Sequence, residues 1–91
     1  MVGPMPTRIL EDKISPNGEY FIRVYLNGNG STYDFSITCD LYRVNPEKKM
    51  RTIYSLLDET FADVYWVDSE ICVINGKRLN VFKDRYKPTK Y

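Results

Sequence analysis

An Asn-Gly dipeptide at positions 75 and 76 constrains the fold of this 91-residue chain more than any other feature. Both positions of a tight β-hairpin turn need positive φ angles, and these two residue types accept them. The dipeptide lies within residues 63–81, where short apolar-alternating runs are separated by this turn and by one at Asp68-Ser69. The segment therefore predicts three antiparallel strands, and the class antiparallel β.

Further strands are predicted ahead of this unit, over residues 7–14, 19–26, 33–44 and 51–56. The turn between the first two is Ser15-Pro16-Asn17-Gly18, in which Pro presets φ and Gly supplies a positive φ. The clearest strand is 33–44, because its apolar and polar residues alternate strictly, as in a sheet with one solvated face. Its apolar positions are Tyr33, Phe35, Ile37, Cys39 and Leu41.

The strand over residues 19–26 is apolar on both faces and is predicted to be central and covered on both sides. One face carries Tyr20, Ile22, Val24 and Leu26, and the other carries Phe21, Arg23 and Tyr25. In the strand over residues 51–56, alternation puts Ile53 on one face and Tyr54 and Leu56 on the other.

Length and composition agree with a single small all-β domain. The chain has eight Tyr and four Phe but only one Ala, which favours strands over helices. We predict one antiparallel meander of six to seven strands that forms a small barrel or sandwich over residues 7–82. Residues 1–6 are predicted to be a disordered lead-in, and residues 83–91 a basic flexible tail.

Charge is balanced overall, at +1, but is unevenly distributed along the chain. Residues 52–76 contain five acidic residues and no Lys or Arg, whereas residues 77–91 contain six basic residues and Asp84 as the one acid. This pattern has two interpretations: two solvated faces or a tail lying along its acidic neighbour, or a basic tail that touches an anionic partner or membrane surface.

The residue types present argue against catalysis. The chain has no His, so the commonest general base and metal ligand is missing. Cys39 and Cys72 lack zinc-site spacing, and their strand positions favour buried thiols over a disulfide. The carboxylates Asp63 and Asp68 flank a strand, but Asp in turns usually accepts backbone N–H bonds. We predict a non-enzymatic protein that needs no cofactor or metal.

Aromatic and basic residues at the second face of the 19–26 strand are the best candidates for binding. Phe21, Arg23 and Tyr25, with Tyr42 and Arg43 beside them, form the mixture that is typical of protein–protein hot spots. The function predicted is protein interaction or a structural role, with an unidentified protein as partner. The alternative is single-stranded nucleic-acid binding, in which bases stack on the same aromatic residues.

Several segments, taken in order and spacing, resemble a family of small uncharacterised proteins of Gram-positive bacteria that is known only as a domain of unknown function. The resemblance covers about residues 6–82. One position differs, because the Trp that follows Ile-Tyr in the family is Ser55 here. The matching segments are Ser15 to Tyr20, Tyr25 to Phe35, Ile53-Tyr54, Ala62 to Asp68, Ile74 to Gly76 and Leu79 to Val81.

The resemblance implies a compact β domain that often follows an N-terminal membrane anchor, and it implies no catalytic or binding residues. No stretch of this chain is apolar enough to span a membrane, and no anchor precedes Pro6. The domain is therefore expected outside the cytoplasm if an anchor was removed, and in the cytoplasm otherwise. Its expected role is the outward domain of an anchored protein or a small inhibitor that occludes a larger partner.

Overall fold

The computed structural model describes residues 7–28, 35–57 and 59–87, and contains seven strands there. The predicted lead-in, the first two residues of the predicted 33–44 strand and the end of the tail lie outside the described residues. The strands are β1 (Thr7–Ile14), β2 (Tyr20–Gly28), β3 (Phe35–Arg43), β4 (Lys48–Leu57), β5 (Val64–Trp66), β6 (Ile71–Ile74) and β7 (Lys77–Asn80).

The strands form two antiparallel sheets, which confirms the predicted all-β class. One sheet has the order β1-β2-β3-β4 and the other the order β5-β6-β7. The predicted single meander is therefore divided at the connection between β4 and β5. Among the described residues the two sheets pack as a small sandwich and not as a closed barrel.

The core lies between the two sheets and draws on both. Each large side chain buried there contributes about 1.5–3 kcal/mol relative to its exposed state. We call the core-facing side of the four-stranded sheet its inner face and the other side its outer face. Fully buried core side chains include Ile22, Val24, Ile37, Cys39, Leu41, Ile53 and Tyr54 from the first sheet and Cys72 and Ile74 from the second.

The prediction that Ile53 and Tyr54 lie on opposite faces is wrong, because both are buried in the one core. Tyr54 pairs with Cys39, but the next pair along the ladder joins Thr52 to Asp40, so Ile53 is an extra residue in β4. Such a β-bulge interrupts the alternation and turns two successive side chains to one side. The strand also begins at Lys48, earlier than the predicted residue 51.

Two of the predicted turns, Asn75-Gly76 and Ser15 to Gly18, have the backbone that their residue types suggest. Asn75 and Gly76 have φ of 49° and 82°, the positive pair that a two-residue hairpin turn requires. Gly18 has φ of 76°, and its N–H donates to the carbonyl of Ser15 at 2.9 Å. These turns set the β6–β7 and β1–β2 registers.

The described part of the predicted tail lies against the domain. The N–H of Tyr86 donates to the carbonyl of Ile53, and its carbonyl accepts from the N–H of Ser55, both at 2.9 Å. The ring of Tyr86 stacks on Tyr54 with centroids 5.2 Å apart. Residues 83–87 therefore add a short parallel pairing to the free edge of β4.

Candidate functional site: the outer face of the four-stranded sheet

Four of the five residues predicted to bind a partner lie together on the outer face. Phe21, Arg23 and Tyr25 alternate along β2, and Tyr42 lies opposite Phe21 on β3. Arg43 does not join them. It pairs with Tyr20, whose ring packs on the core, so alternation puts Arg43 on the other side of the sheet from Tyr42.

The guanidinium of Arg23 is the centre of this cluster. It donates to both carboxylate oxygens of Asp12, through Nε at 2.8 Å and through a terminal nitrogen at 3.0 Å. Its carbon lies 5.0 Å from the ring centroids of both Phe21 and Tyr42. Those two rings are themselves stacked, 5.0 Å apart and 10° from parallel. We call Asp12, Phe21, Arg23, Tyr25 and Tyr42 the Arg23 cluster.

The cluster covers its own sheet face. Phe21 is only 6% exposed, although it lies outside the core that the two sheets share. Its cover comes from the Tyr42 ring and the Arg23 guanidinium, which lie over it. The prediction that β2 is central and covered on both sides is confirmed at Phe21, where side chains of the same sheet cover the outer face.

A hydrogen bond joins the two tyrosines of the cluster. The hydroxyl oxygens of Tyr25 and Tyr42 are 2.6 Å apart, so one hydroxyl donates to the other. Burial and this hydrogen bond raise the pKa of Tyr25 above its ordinary value and so favour the neutral phenol. The hydrogen bond with Asp12 raises the pKa of Arg23 further, and the guanidinium keeps its charge.

The charges of the outer face are paired with one another. Asp40 is 3.4 Å from the ammonium of Lys49 and also accepts a 2.7 Å hydrogen bond from the hydroxyl of Thr52. A second carboxylate, that of Glu47, lies 3.7 Å from Arg23. The ion pairs here thus join two cations, Arg23 and Lys49, to the three carboxylates Asp12, Asp40 and Glu47.

Exposed apolar side chains that are not among the residues predicted to bind a partner flank the cluster. Ile14 is 64% exposed and pairs with Phe21, while Ile9 is 51% exposed and pairs with Tyr25. The hairpin turn after β1 contains the signal that could have found Ile14, because a hairpin register puts residues at equal distances from the turn opposite each other. The same register pairs Asp12 with Arg23.

The cysteines and aspartates considered as catalytic groups lie in the core or take part in turn hydrogen bonds. Cys39 and Cys72 are buried, as their strand positions predict, and burial raises the pKa of each thiol to about 12. Asp68 accepts two backbone N–H bonds of 2.8 Å, from Glu70 and Ile71, and these lower its pKa. The backbone N–H of Asp63 donates a 2.8 Å hydrogen bond to the side-chain oxygen of Asn75.

Two further observations concern metals and membranes. Within residues 7–28, 35–57 and 59–87, no group of three or more His, Cys, Asp or Glu side chains could hold a metal ion. In the same part of the chain, no helix has the length and apolar character needed to cross a membrane.

The sequence of the chain matches a known protein family, but that family has no known function. No curated protein matches it, and no solved structure does. Residues 5–90 match a family of unknown function, DUF5412, so the match includes the segment that lies against β4. Because the match covers nearly the whole sequence, the chain belongs to the DUF5412 family.

Proposed function

We propose that this domain is a non-enzymatic protein-interaction module and that its contact surface is the outer face of the four-stranded sheet. The observation that carries the proposal is the Arg23 cluster, in which the guanidinium is held against two aromatic rings and a carboxylate on the outer face. Tyr and Arg held in one conformation lose little entropy on binding, which is why such residues dominate binding energy at interfaces.

The surroundings of the cluster support a protein partner. Ile9 and Ile14 expose apolar surface at its border, and burying that surface contributes about 25 cal/mol for each Å². A partner with an apolar patch and hydrogen-bond acceptors for the tyrosine hydroxyls fits this face. The role we propose is docking on a larger protein, as the outward domain of an anchored protein or as an inhibitor that occludes it.

The alternative, single-stranded nucleic-acid binding at the same face, has less support. Such binding needs a groove with excess positive charge along the phosphate backbone. Here Arg23 and Lys49 already pair with carboxylates. The rings of Phe21 and Tyr42 are stacked on each other, so their facing sides are not free to stack on bases.

The test uses substitutions that change the surface and leave the Arg23 cluster intact. Ile9→Asp combined with Ile14→Asp should abolish capture of the partner from a host lysate, whereas Tyr65→Asp should not. Tyr65 is a matched control because it is 52% exposed and lies in the second sheet, on β5. Undiminished capture by the Ile9→Asp/Ile14→Asp protein would show that this face is not the contact surface.

A second variant tests the cluster itself. Arg23→Ala combined with Tyr25→Ala should also abolish capture, and thermal unfolding of the variant checks that it remains folded. The nucleic-acid alternative would be favoured if the captured proteins are ones that associate with nucleic acid and if capture is lost in moderate salt. The reason is that contacts with phosphate weaken steeply as salt rises.

A further inference from the structure

A groove of about 510 Å³ lies between the edge of β4 and residues 85–87. Four basic side chains line it, and none of its described lining residues is acidic. Lys49 and Arg51 come from β4, and Arg85 and Lys87 come from the C-terminal segment. The five acidic side chains of residues 52–76 are not among the described lining residues, whereas two of the six basic residues of 77–91 are.

Contacts with the core hold the two walls of the groove together. Backbone hydrogen bonds of 2.9 Å on both sides of Tyr86 join the C-terminal segment to β4. The Tyr86 ring stacks on Tyr54, which is 1% exposed, and the ammonium of Lys77 lies 5.2 Å from the centroid of the Tyr86 ring. Arg85 and Lys87 flank this fixed residue, so their backbone positions are set before any ligand arrives.

Positive charge in the groove is only partly compensated. Lys49 lies 3.4 Å from Asp40, and Arg51 donates a 3.0 Å hydrogen bond to the carbonyl of Val81. Among the described residues, the ion pairs include no partner for Arg85 or Lys87. Clefts lined by one sign of charge raise the local concentration of the opposite charge.

The donors present suit a multiply charged phosphate group. Arg presents a fork of N–H groups that matches phosphate oxygens, and Lys adds a mobile point charge. Ser55 also lines the groove. The volume falls within the range of about 300–1,000 Å³ that is usual for small-molecule sites. We propose that this groove binds a phosphate-bearing anion, either a soluble phosphate compound or a lipid headgroup.

The experiment titrates the full chain with sodium pyrophosphate at constant ionic strength and measures binding by calorimetry and by amide chemical shifts. We expect saturable binding at one site, with the largest shifts at Ser55 and Tyr86. Arg85→Ala combined with Lys87→Ala should weaken binding about tenfold or more, since the two lost charge-assisted contacts together cost about 1.4 kcal/mol or more. Backbone pairing of Tyr86 needs neither side chain, so this variant should stay folded.

A matched control removes the same charge from outside the groove. Lys48 and Lys83 are exposed and do not line it, so Lys48→Ala combined with Lys83→Ala should leave the affinity within about twofold. Equal loss of affinity in the two double variants would overturn the proposal, because binding would then depend on the net charge of the protein and not on the groove. Absence of saturable binding would overturn it as well.

Two further arms identify the source of the phosphate. Vesicles of phosphatidylglycerol, compared with vesicles of phosphatidylcholine, test the lipid headgroup: binding that Arg85→Ala/Lys87→Ala abolishes supports the proposal with a lipid source. Pyrophosphate binding without vesicle binding supports it with a soluble source. Binding of poly-glutamate in place of pyrophosphate would overturn it, because the groove would then recognise an acidic peptide.

Discussion

The side-chain Nδ2 of Asn75 donates a hydrogen bond of 3.0 Å to the hydroxyl of Tyr54, and so joins the β6–β7 turn to the core of the other sheet. The same side chain accepts a 2.8 Å hydrogen bond from the N–H of Asp63 through Oδ1. Asn at this position thus supplies more than a positive φ. It connects three segments that are distant in sequence.

Tyr54→Phe should lower the free energy of unfolding by about 1–2 kcal/mol, because it leaves the amide of Asn75 without its buried acceptor. Asn75→Gly keeps the positive φ but loses both side-chain hydrogen bonds, and should cost a similar amount. Urea unfolding measures both, with the single Trp, Trp66, as the fluorescent probe.

The double variant tests whether the two residues are coupled. Its destabilisation should be smaller than the sum of the single effects, since the shared hydrogen bond is lost only once. Strict additivity would contradict the interaction. Tyr65→Phe is the control for removal of a hydroxyl, because Tyr65 is 52% exposed and its stability change should be near zero.

Arg23→Lys should destabilise the domain by about 1 kcal/mol although it keeps the charge. A Lys ammonium cannot make the paired hydrogen bonds to Asp12, and its contacts with the rings of Phe21 and Tyr42 are weaker than those of a planar guanidinium. Asp12→Asn should cost less, because the aromatic contacts of Arg23 remain and an exposed ion pair contributes little. Chemical denaturation of the two variants shows which substitution lowers the free energy of unfolding more. The interpretation of the Arg23 cluster fails if Asp12→Asn is the more damaging change.

The buried thiols should make stability fall at alkaline pH. Burial raises the pKa of Cys39 and Cys72 from 9.0 to about 12, so the unfolded chain loses these protons at lower pH than the folded protein. Their contribution is complete below about pH 9 and is lost as pH rises towards about 12. Each thiol adds a slope of at most about 1.4 kcal/mol per pH unit.

Cys39→Ala combined with Cys72→Ala isolates this effect from the tyrosines, whose ionisation it leaves in place. The variant should start less stable, because small cavities replace the sulfur atoms, but its stability should depend less steeply on pH. Parallel stability curves for the two proteins above pH 9 would contradict the prediction. Labelling by a thiol reagent at pH 8 should likewise be slow until the chain is unfolded.

Tyr86→Ala should release the C-terminal segment from β4. The substitution removes the ring stacked on Tyr54, so the two backbone hydrogen bonds with Ile53 and Ser55 lose their support. Hydrogen exchange measures the outcome directly: the amide of Ser55 should be protected in the parent chain and should exchange faster in the variant. Lys83→Ala, in the same segment, should leave that protection unchanged. Equal protection in the Tyr86→Ala variant would mean that the pairing does not depend on the ring.

The amino-acid sequence is sufficient to predict the local features of the fold, namely its turns and the alternation along its strands. The positive φ values at Asn75 and Gly76 follow from the residue types, and the burial of Ile37, Cys39 and Leu41 follows from strict alternation. These features depend on near neighbours in the chain, so a linear pattern is enough to predict them. The resemblance of most of the chain to a family of unknown function was also evident at that level, and the match over residues 5–90 agrees with it.

Only the tertiary structure decided how the strands combine. The bulge at Ile53 brings two successive side chains into one core, and no periodic pattern marks an unpaired residue. Arg43 pairs with Tyr20 and so leaves the predicted site, whereas Asp12 and Ile14 join it through the β1–β2 register. The division into two sheets and the pairing of Tyr86 with β4 depend on contacts between residues far apart in the chain. Such contacts form only when the whole core assembles, which is why local pattern does not contain them.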